Sequence, residues 1–466
     1  MQRLLLLLLA ALPGLAAAAA PATLRLDFYH GGNRDTELYS LDQVVREPLP
    51  WPGNPAQPID RTLRGLYEFQ VRAADDGELL YSRSFSSIYG EWETTGEARR
   101  LNRTFHESLR FPDPGEPVDV VVRKRGADQV FAEAWRVAVD PADYLVHEES
   151  AAYAGQVVAL ERNGPPGEKV DLLILGDGYT AAEHDAFLER ARELVEGLFA
   201  TSPFRERRGD FNVWALAPPS AQSGVSRPST GIHRDTPFGA RYDAFRSERY
   251  VLTYDNREMR RIISSAPYDF IEILVNSETY GGGGIYGLYS TAAAGSEWAE
   301  YLFIHEFGHH FAGLADEYYT SSVAYEAPDA VTEPYEPNVT ALLDPAALKW
   351  RDLVADGTPL PTPWPKEEYE AHSLAYQQRR AEMRERNVPE AEMNALFRTN
   401  QEFVEALFSA APQNDAIGAF EGALYQAQGY YRSEMNCLMF TRSERFCRVC
   451  RDAIEDVIDE YSRPPP

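Results

Sequence analysis

The stretch Tyr301-Leu302-Phe303-Ile304-His305-Glu306-Phe307-Gly308-His309-His310-Phe311-Ala312-Gly313-Leu314-Ala315-Asp316-Glu317-Tyr318 decides how this 466-residue chain is read, because it sets His-Glu-x-x-His in a helical pattern. Residues four apart on an α-helix stand about 40° from one another around the axis, so His305 and His309 leave one face and can share a metal ion. His310 points elsewhere. Phe303, Ile304, Phe307 and Phe311 gather on the opposite side, while Gly308 and Ala312 stay small, so one face packs and the other binds. Neutral imidazole suits Zn²⁺, and Glu306, next to the first ligand, is placed to act as general base for an attacking water. The expected cofactor is therefore Zn²⁺, and the expected chemistry is hydrolysis of a peptide bond.

A third ligand has to follow the helix. Gly313 can end it in a left-handed conformation, after which Asp316, or alternatively Glu317, can turn back towards the metal; either carboxylate can instead serve as a cap or pair in a turn. The order resembles the metzincin peptidases, whose His-Glu-x-x-His-x-x-Gly-x-x-His/Asp pattern appears here with one extra residue before the glycine. Its retained glycine-to-ligand spacing favours Asp316. Downstream, Cys437-Leu438-Met439-Phe440 resembles the Met-turn that lies beneath the zinc of those enzymes, with Met439 as the floor. Tyr431 or Tyr430 could bring a phenol to the developing oxyanion.

The likeness narrows to the bacterial IgA peptidase family of exported metalloendopeptidases. It rests on Ile174-Leu175-Gly176-Asp177-Gly178-Tyr179, on His305 to Tyr318, and on Met435-Asn436-Cys437-Leu438-Met439 followed by Phe446-Cys447-Arg448-Val449-Cys450. The resemblance implies an N-terminal β domain, zinc and a protein or peptide substrate. It implies the chemistry of the member that gave the family its name, not that member's immunoglobulin substrate.

The surrounding sequence agrees on an α+β, multidomain architecture. From residue 23 to about 145, short alternating runs such as Leu24-Arg25-Leu26-Asp27-Phe28 and Val118-Asp119-Val120-Val121-Val122, separated by turn-rich breaks, predict an N-terminal β-sandwich. From about 155 to 466 the pattern becomes α/β and metzincin-like. It opens with an apolar run at Val170 to Leu175, the turn Gly176-Asp177-Gly178 and an amphipathic stretch from Ala181 to Phe199, and strands are expected again at Phe211 to Leu216 and Asp269 to Val275. A helical insertion is expected at about 366–408, divided by Pro389. Gly281 to Gly284 reads either as a flexible loop or as an edge strand that pairs with extended substrate. Ser223 and His233 lack the Gly-x-Ser-x-Gly elbow of a serine hydrolase, and His30 and His106 stand isolated.

Composition narrows the partners. Seventy-two acidic against 45 basic residues give a net charge of -27 and no basic stripe, which disfavours nucleic acid and anionic membrane surfaces. Residues 1–20, with Arg3, a leucine run and then small residues, read as a cleaved signal peptide. Pro13 and Gly14 break the run before spanning length, so a secreted or periplasmic protein without a stable membrane anchor is expected; the patterning assigns no oligomeric state. An exported chain is also expected to oxidise a cysteine pair, Cys437 with Cys447 or Cys450. A Cys-x-x-Cys zinc site needs four ligands, and no second Cys/His pair lies nearby in sequence. Two alternative functions share these features: an exported glycan- or protein-binding protein with a structural zinc, and an amidase acting on cell-wall peptides. An intact Glu306 argues against the first, since a structural site has no use for a general base.

Overall fold

The computed structural model describes residues 20–327 and 330–462, so all but the last residue of the expected signal peptide lies outside it. The N-terminal part carries strands β1 (Ala22–Gly32), β2 (Glu37–Pro50), β3 (Tyr67–Ala73) and β4 (Leu79–Phe85), a short helix α1 (Ile88–Trp92), and strands β5 (Arg103–Pro112), β6 (Val118–Arg125), β7 (Phe131–Val139) and β8 (His147–Glu148). They form two four-stranded sheets, ordered β5-β1-β2-β8 and β4-β3-β6-β7. Alternation along the strands turns Leu24, Leu26 and Phe28 of β1 and Val118, Val120 and Val122 of β6 into one shared core with Phe69, Val71 and Phe111. His30, isolated in sequence, is buried there between the carboxylates of Glu107 and Glu37.

The larger part is built on a six-stranded sheet. Its strands are β9 (Val158–Glu161), β10 (Val170–Asp177), β11 (Phe211–Leu216), β12 (Phe270–Val275), β13 (Gly282–Ile285) and β14 (Tyr289–Ala293), in the order β13-β14-β12-β10-β11-β9. The central four run parallel and are buried on both faces, which explains why β10 and β12 read as unbroken apolar runs. Helices α2 (His184–Ala200), α3 (Asn256–Ile263) and α4 (Ala299–Ala312) belong to the same unit, and α4 lies against β13 and β14. The aromatic side of α4 closes the core: Phe307 and Phe311 meet Phe204, Phe211 and Phe270 with ring centroids 4.5–6.5 Å apart. Burying rings of this size stabilises the fold by about 2–3 kcal/mol each.

The insertion is the antiparallel pair α5 (Lys366–Glu385) and α6 (Glu390–Ser409), with Pro389 in the connection, where its fixed φ suits a helix start. A small sheet joins β15 (Val339–Thr340), which precedes the insertion, to β16 (Phe420–Ala423) and β17 (Gln426–Arg432), which follow it, and helix α7 (Arg448–Ser462) packs on α4 and β10. No helix among the described residues is long and apolar enough to cross a membrane.

The two parts are joined by buried polar contacts. Arg64 donates to the carbonyls of Ala312 at the end of α4 and Ala453 in α7, and pairs with Asp456 at 2.9 Å. Arg83 of β4 faces Glu460 of α7 at 3.4 Å. Burial pushes the Glu460 carboxyl up to about 7; Arg83 opposes this and the nearby Asp60 adds to it. A folded value above the unfolded one favours the protonated form in the fold, so this contribution is full below about 4.3 and is lost as pH rises through about 7. We expect thermal melts of Glu460→Gln to lose about 1–2 kcal/mol less stability between pH 5 and pH 8 than the wild type does. Parallel pH profiles in the two proteins would remove Glu460 from the account.

Candidate metal centre

The last turns of α4 carry the quoted motif. Gly313 ends the helix at φ +60, the left-handed conformation expected of it, and the chain reverses through Leu314 and Ala315 to bring Asp316 back under the helix. The Oδ1 of Asp316 lies 3.1 Å from His305 Nε2 and 3.2 Å from His309 Nε2, and the two imidazole nitrogens are 3.3 Å apart. Three donor atoms therefore form a nearly equilateral triangle. A tetrahedral zinc with bonds of about 2.0–2.1 Å spaces its ligand atoms by about 3.3 Å.

The opposite ring nitrogens settle the tautomer. His305 Nδ1 faces the carbonyl of Leu438 at 3.1 Å and His309 Nδ1 that of Leu314 at 2.6 Å, so a neutral ring at either position donates at Nδ1 and presents a bare Nε2 lone pair to the triangle, the form a bound cation would select; without a cation, burial disfavours a charge on His309 but the Asp316 carboxylate outweighs it and pushes this imidazole up to about 9. These residues fit a zinc ion by donor chemistry as well as spacing. His310 takes no part: its Nδ1 donates to Ile285, its Nε2 accepts from the Ile271 amide, and burial pushes it down to about 3. Glu306 is buried beside both imidazoles. Burial raises its carboxyl above the usual range against the pull of His305 and His309, which suits a proton acceptor. Burial alone would also raise Asp316, but the facing imidazoles, His309 first, outweigh it and hold this carboxyl well below the ordinary value.

Met439 is fully buried beneath the helix, with its sulfur 3.1 Å from where a Cβ on Gly308 would stand. On the other side glycine is required: a Cβ on Gly284 would come within 2.3 Å of the Glu306 carbonyl. Gly282 to Ile285 form the sheet's edge strand β13, not a loop; at Gly282 this edge is already bonded to Arg249 and Val251, and Gly284 beyond it borders the cleft.

The cleft over this centre has a volume of about 580 Å³. Its walls come from β13, from the Tyr318–Ala327 segment, from Tyr425 and, unexpectedly, from the N-terminal domain through Gly65, Ser86, Ser87, Gly90, Glu91 and Thr94. Glu91 is bound by the hydroxyls of Tyr250, at 3.0 Å, and Tyr325.

Several expected residues fall elsewhere. Tyr430 borders the cleft, but its buried ring packs beside Ala315 and its hydroxyl accepts from the Thr332 amide at 3.4 Å; Tyr431, its neighbour on β17, projects to the other face and does not line the cleft. The phenols that surround the triangle are others. Tyr425 donates to Asp316 Oδ2 at 2.6 Å, Tyr301 lies 3.3 Å from His305 Nδ1, and Tyr318 accepts from Arg249 at 2.9 Å. Tyr318 closes the quoted motif and could have been singled out by position; nothing in sequence marks Tyr425. Removing the hydroxyl in Tyr425→Phe should loosen Asp316 and weaken metal affinity by about 10- to 100-fold, read by competition with a chromogenic chelator; unchanged affinity would make the contact incidental.

Glu317 turns away from the histidines, towards Cys437, Cys447 and Cys450. The expected disulfide is not formed. All three cysteines are free and buried, and Cys437 and Cys450 have their sulfurs 3.8 Å apart against the ~2.05 Å of a bond.

Two family models match the sequence: IgA Peptidase M64 over residues 158–458 and Peptidase M64 N-terminus over residues 16–136. No curated protein matches the chain.

Proposed function

Because the chain belongs to the IgA peptidase M64 family, and so is a peptidase, we propose that it acts as an exported, zinc-dependent endopeptidase of metzincin-like design on secreted or periplasmic proteins. The observation that carries this reading is the triangle of His305 Nε2, His309 Nε2 and Asp316 Oδ1, with both Nδ1 atoms engaged by backbone carbonyls. His305, His309 and Asp316 would hold the ion, Tyr425 would orient the aspartate, and Met439 would floor the site. Bound zinc would supply Lewis-acid activation of water and of the scissile carbonyl.

The protein's own residues perform the proton transfers. The Glu306 carboxylate takes a proton from the attacking water and returns it to the leaving amine nitrogen, so that the amine departs neutral. Arg249, which lines the cleft and is tied to the Tyr318 hydroxyl, brings positive charge to the side where the carbonyl oxygen becomes negative. The Gly284 end of β13 offers an extended substrate a backbone edge to lie along. A cleft walled by two domains suits an unfolded segment better than a folded surface. Export rests on residues 1–20, and a family peptidase carrying Glu306 is weighted against a purely binding role.

The experiment is cleavage of an unfolded protein by the purified chain before and after removal of metal by a chelator. Activity should vanish with the metal and return with stoichiometric Zn²⁺. Undiminished cleavage by metal-free protein would overturn the zinc mechanism.

A further inference from the structure

We propose that Glu317, Cys437, Cys447 and Cys450 form a second metal site, a buried tetrahedral zinc centre with a structural role, separate from the one that does chemistry. One oxygen of Glu317 and the three sulfurs lie within 4.8 Å of one another, and all four side chains are buried. The separations fit an ion at their centre. Cys437 and Cys450 sulfurs stand 3.8 Å apart, and Glu317 Oε1 is 3.6 Å from Cys450 and 3.9 Å from Cys447. Zinc–sulfur bonds of about 2.3 Å in a tetrahedron set sulfurs about 3.8 Å apart, and a zinc–oxygen bond of about 2.0–2.2 Å brings the oxygen to about 3.5 Å.

The surroundings are arranged for anionic ligands. The amide of Cys447 donates to the Cys437 sulfur at 3.2 Å, the amide of Cys450 to the Cys447 sulfur at 3.3 Å, and Ser433 Oγ to the Cys447 sulfur at 3.3 Å. Asn338 fixes Glu317 Oε1 at 2.9 Å, whereas Glu317 Oε2 is buried with no hydrogen-bond partner. The fully buried Arg432 acts electrostatically on both Glu317 and Cys437, offsetting the negative charge of four anionic ligands around a dication. Thiolate donors in this geometry select zinc over the hard cations.

The centre would tie three segments: the return after α4, the Met439 turn and the start of α7. Asp316 and Glu317 are consecutive and face opposite ways, and the Glu317 amide donates to the Met439 carbonyl at 2.9 Å. The second ion would thereby position both the third ligand and the floor of the first site without touching substrate. This reading does not depend on the peptidase mechanism.

The test is metal analysis of the full chain purified without reductant or chelator, together with a His305→Ala/His309→Ala variant that leaves the cysteines untouched. We expect two zinc equivalents per wild-type chain and one in the variant, and a cobalt-substituted variant should show thiolate-to-cobalt charge-transfer absorption. Cys450→Ser should cost one equivalent and lower the melting temperature; if it does not fold, the histidine variant still decides. No metal in that variant, no thiolate band, or peptides linked by a Cys437–Cys450 disulfide would overturn the proposal.

Discussion

Glu306→Gln should hold as much zinc as the wild type and cleave about 10²- to 10⁴-fold more slowly, the range that a positioned proton-transfer group contributes. The amide keeps the volume of the carboxylate in a site where Gly282 already leaves only 3.0–3.2 Å between a hypothetical Cβ and the Glu306 side chain. The fold and the ligand triangle are therefore preserved, and only the capacity to accept a proton is lost. Metal content by mass spectrometry and kcat on an unfolded substrate separate the two effects. Full activity in the variant would remove Glu306 as the base, and loss of the metal would mean that its carboxylate is a ligand instead.

Asp316→Ala carries the second large effect. This side chain closes the triangle and accepts from Tyr425 at 2.6 Å, so its loss leaves two imidazoles and an unpaired phenol around the ion. Partners that merely orient ligands are worth about 10- to 100-fold in affinity; loss of the ligand should exceed that and abolish cleavage. Glu317→Gln should leave the histidine-held metal in place. With the histidine-held ion counted apart from the one at the cysteines, the opposite pattern, that ion kept by Asp316→Ala and lost by Glu317→Gln, would make Glu317 the ligand of the active centre.

The parts of the fold visible in sequence are those with strong periodicity. The β10 and β12 runs, buried on both faces, read as unbroken apolar stretches, whereas the paired helices around Pro389 and the aromatic side of α4 bury one consistent face, and local pattern reports both. The histidine site was legible for the same reason, since its two imidazoles sit one helical turn apart. Glu91, Arg249 and Tyr425 were not, because each reaches the cleft through tertiary packing from a separate segment. The cysteines show the limit most plainly. Three sulfurs near the C-terminus invite pairing with one another, and the carboxylate that completes their cluster lies 120 residues upstream of Cys437, where only the return of the chain after Gly313 brings it close.

A cleft with one wall from each domain also constrains inheritance. A lineage that shed residues 20–150 would keep His305 and His309 and still lose part of the wall of the cleft above them, so the two parts are expected to descend as a unit. Drift in the Ser86–Thr94 segment then becomes a route to new substrates that leaves the hydrolytic machinery alone, and changes at Glu91 should be matched in related lineages by changes at Tyr250 and Tyr325, whose hydroxyls it binds.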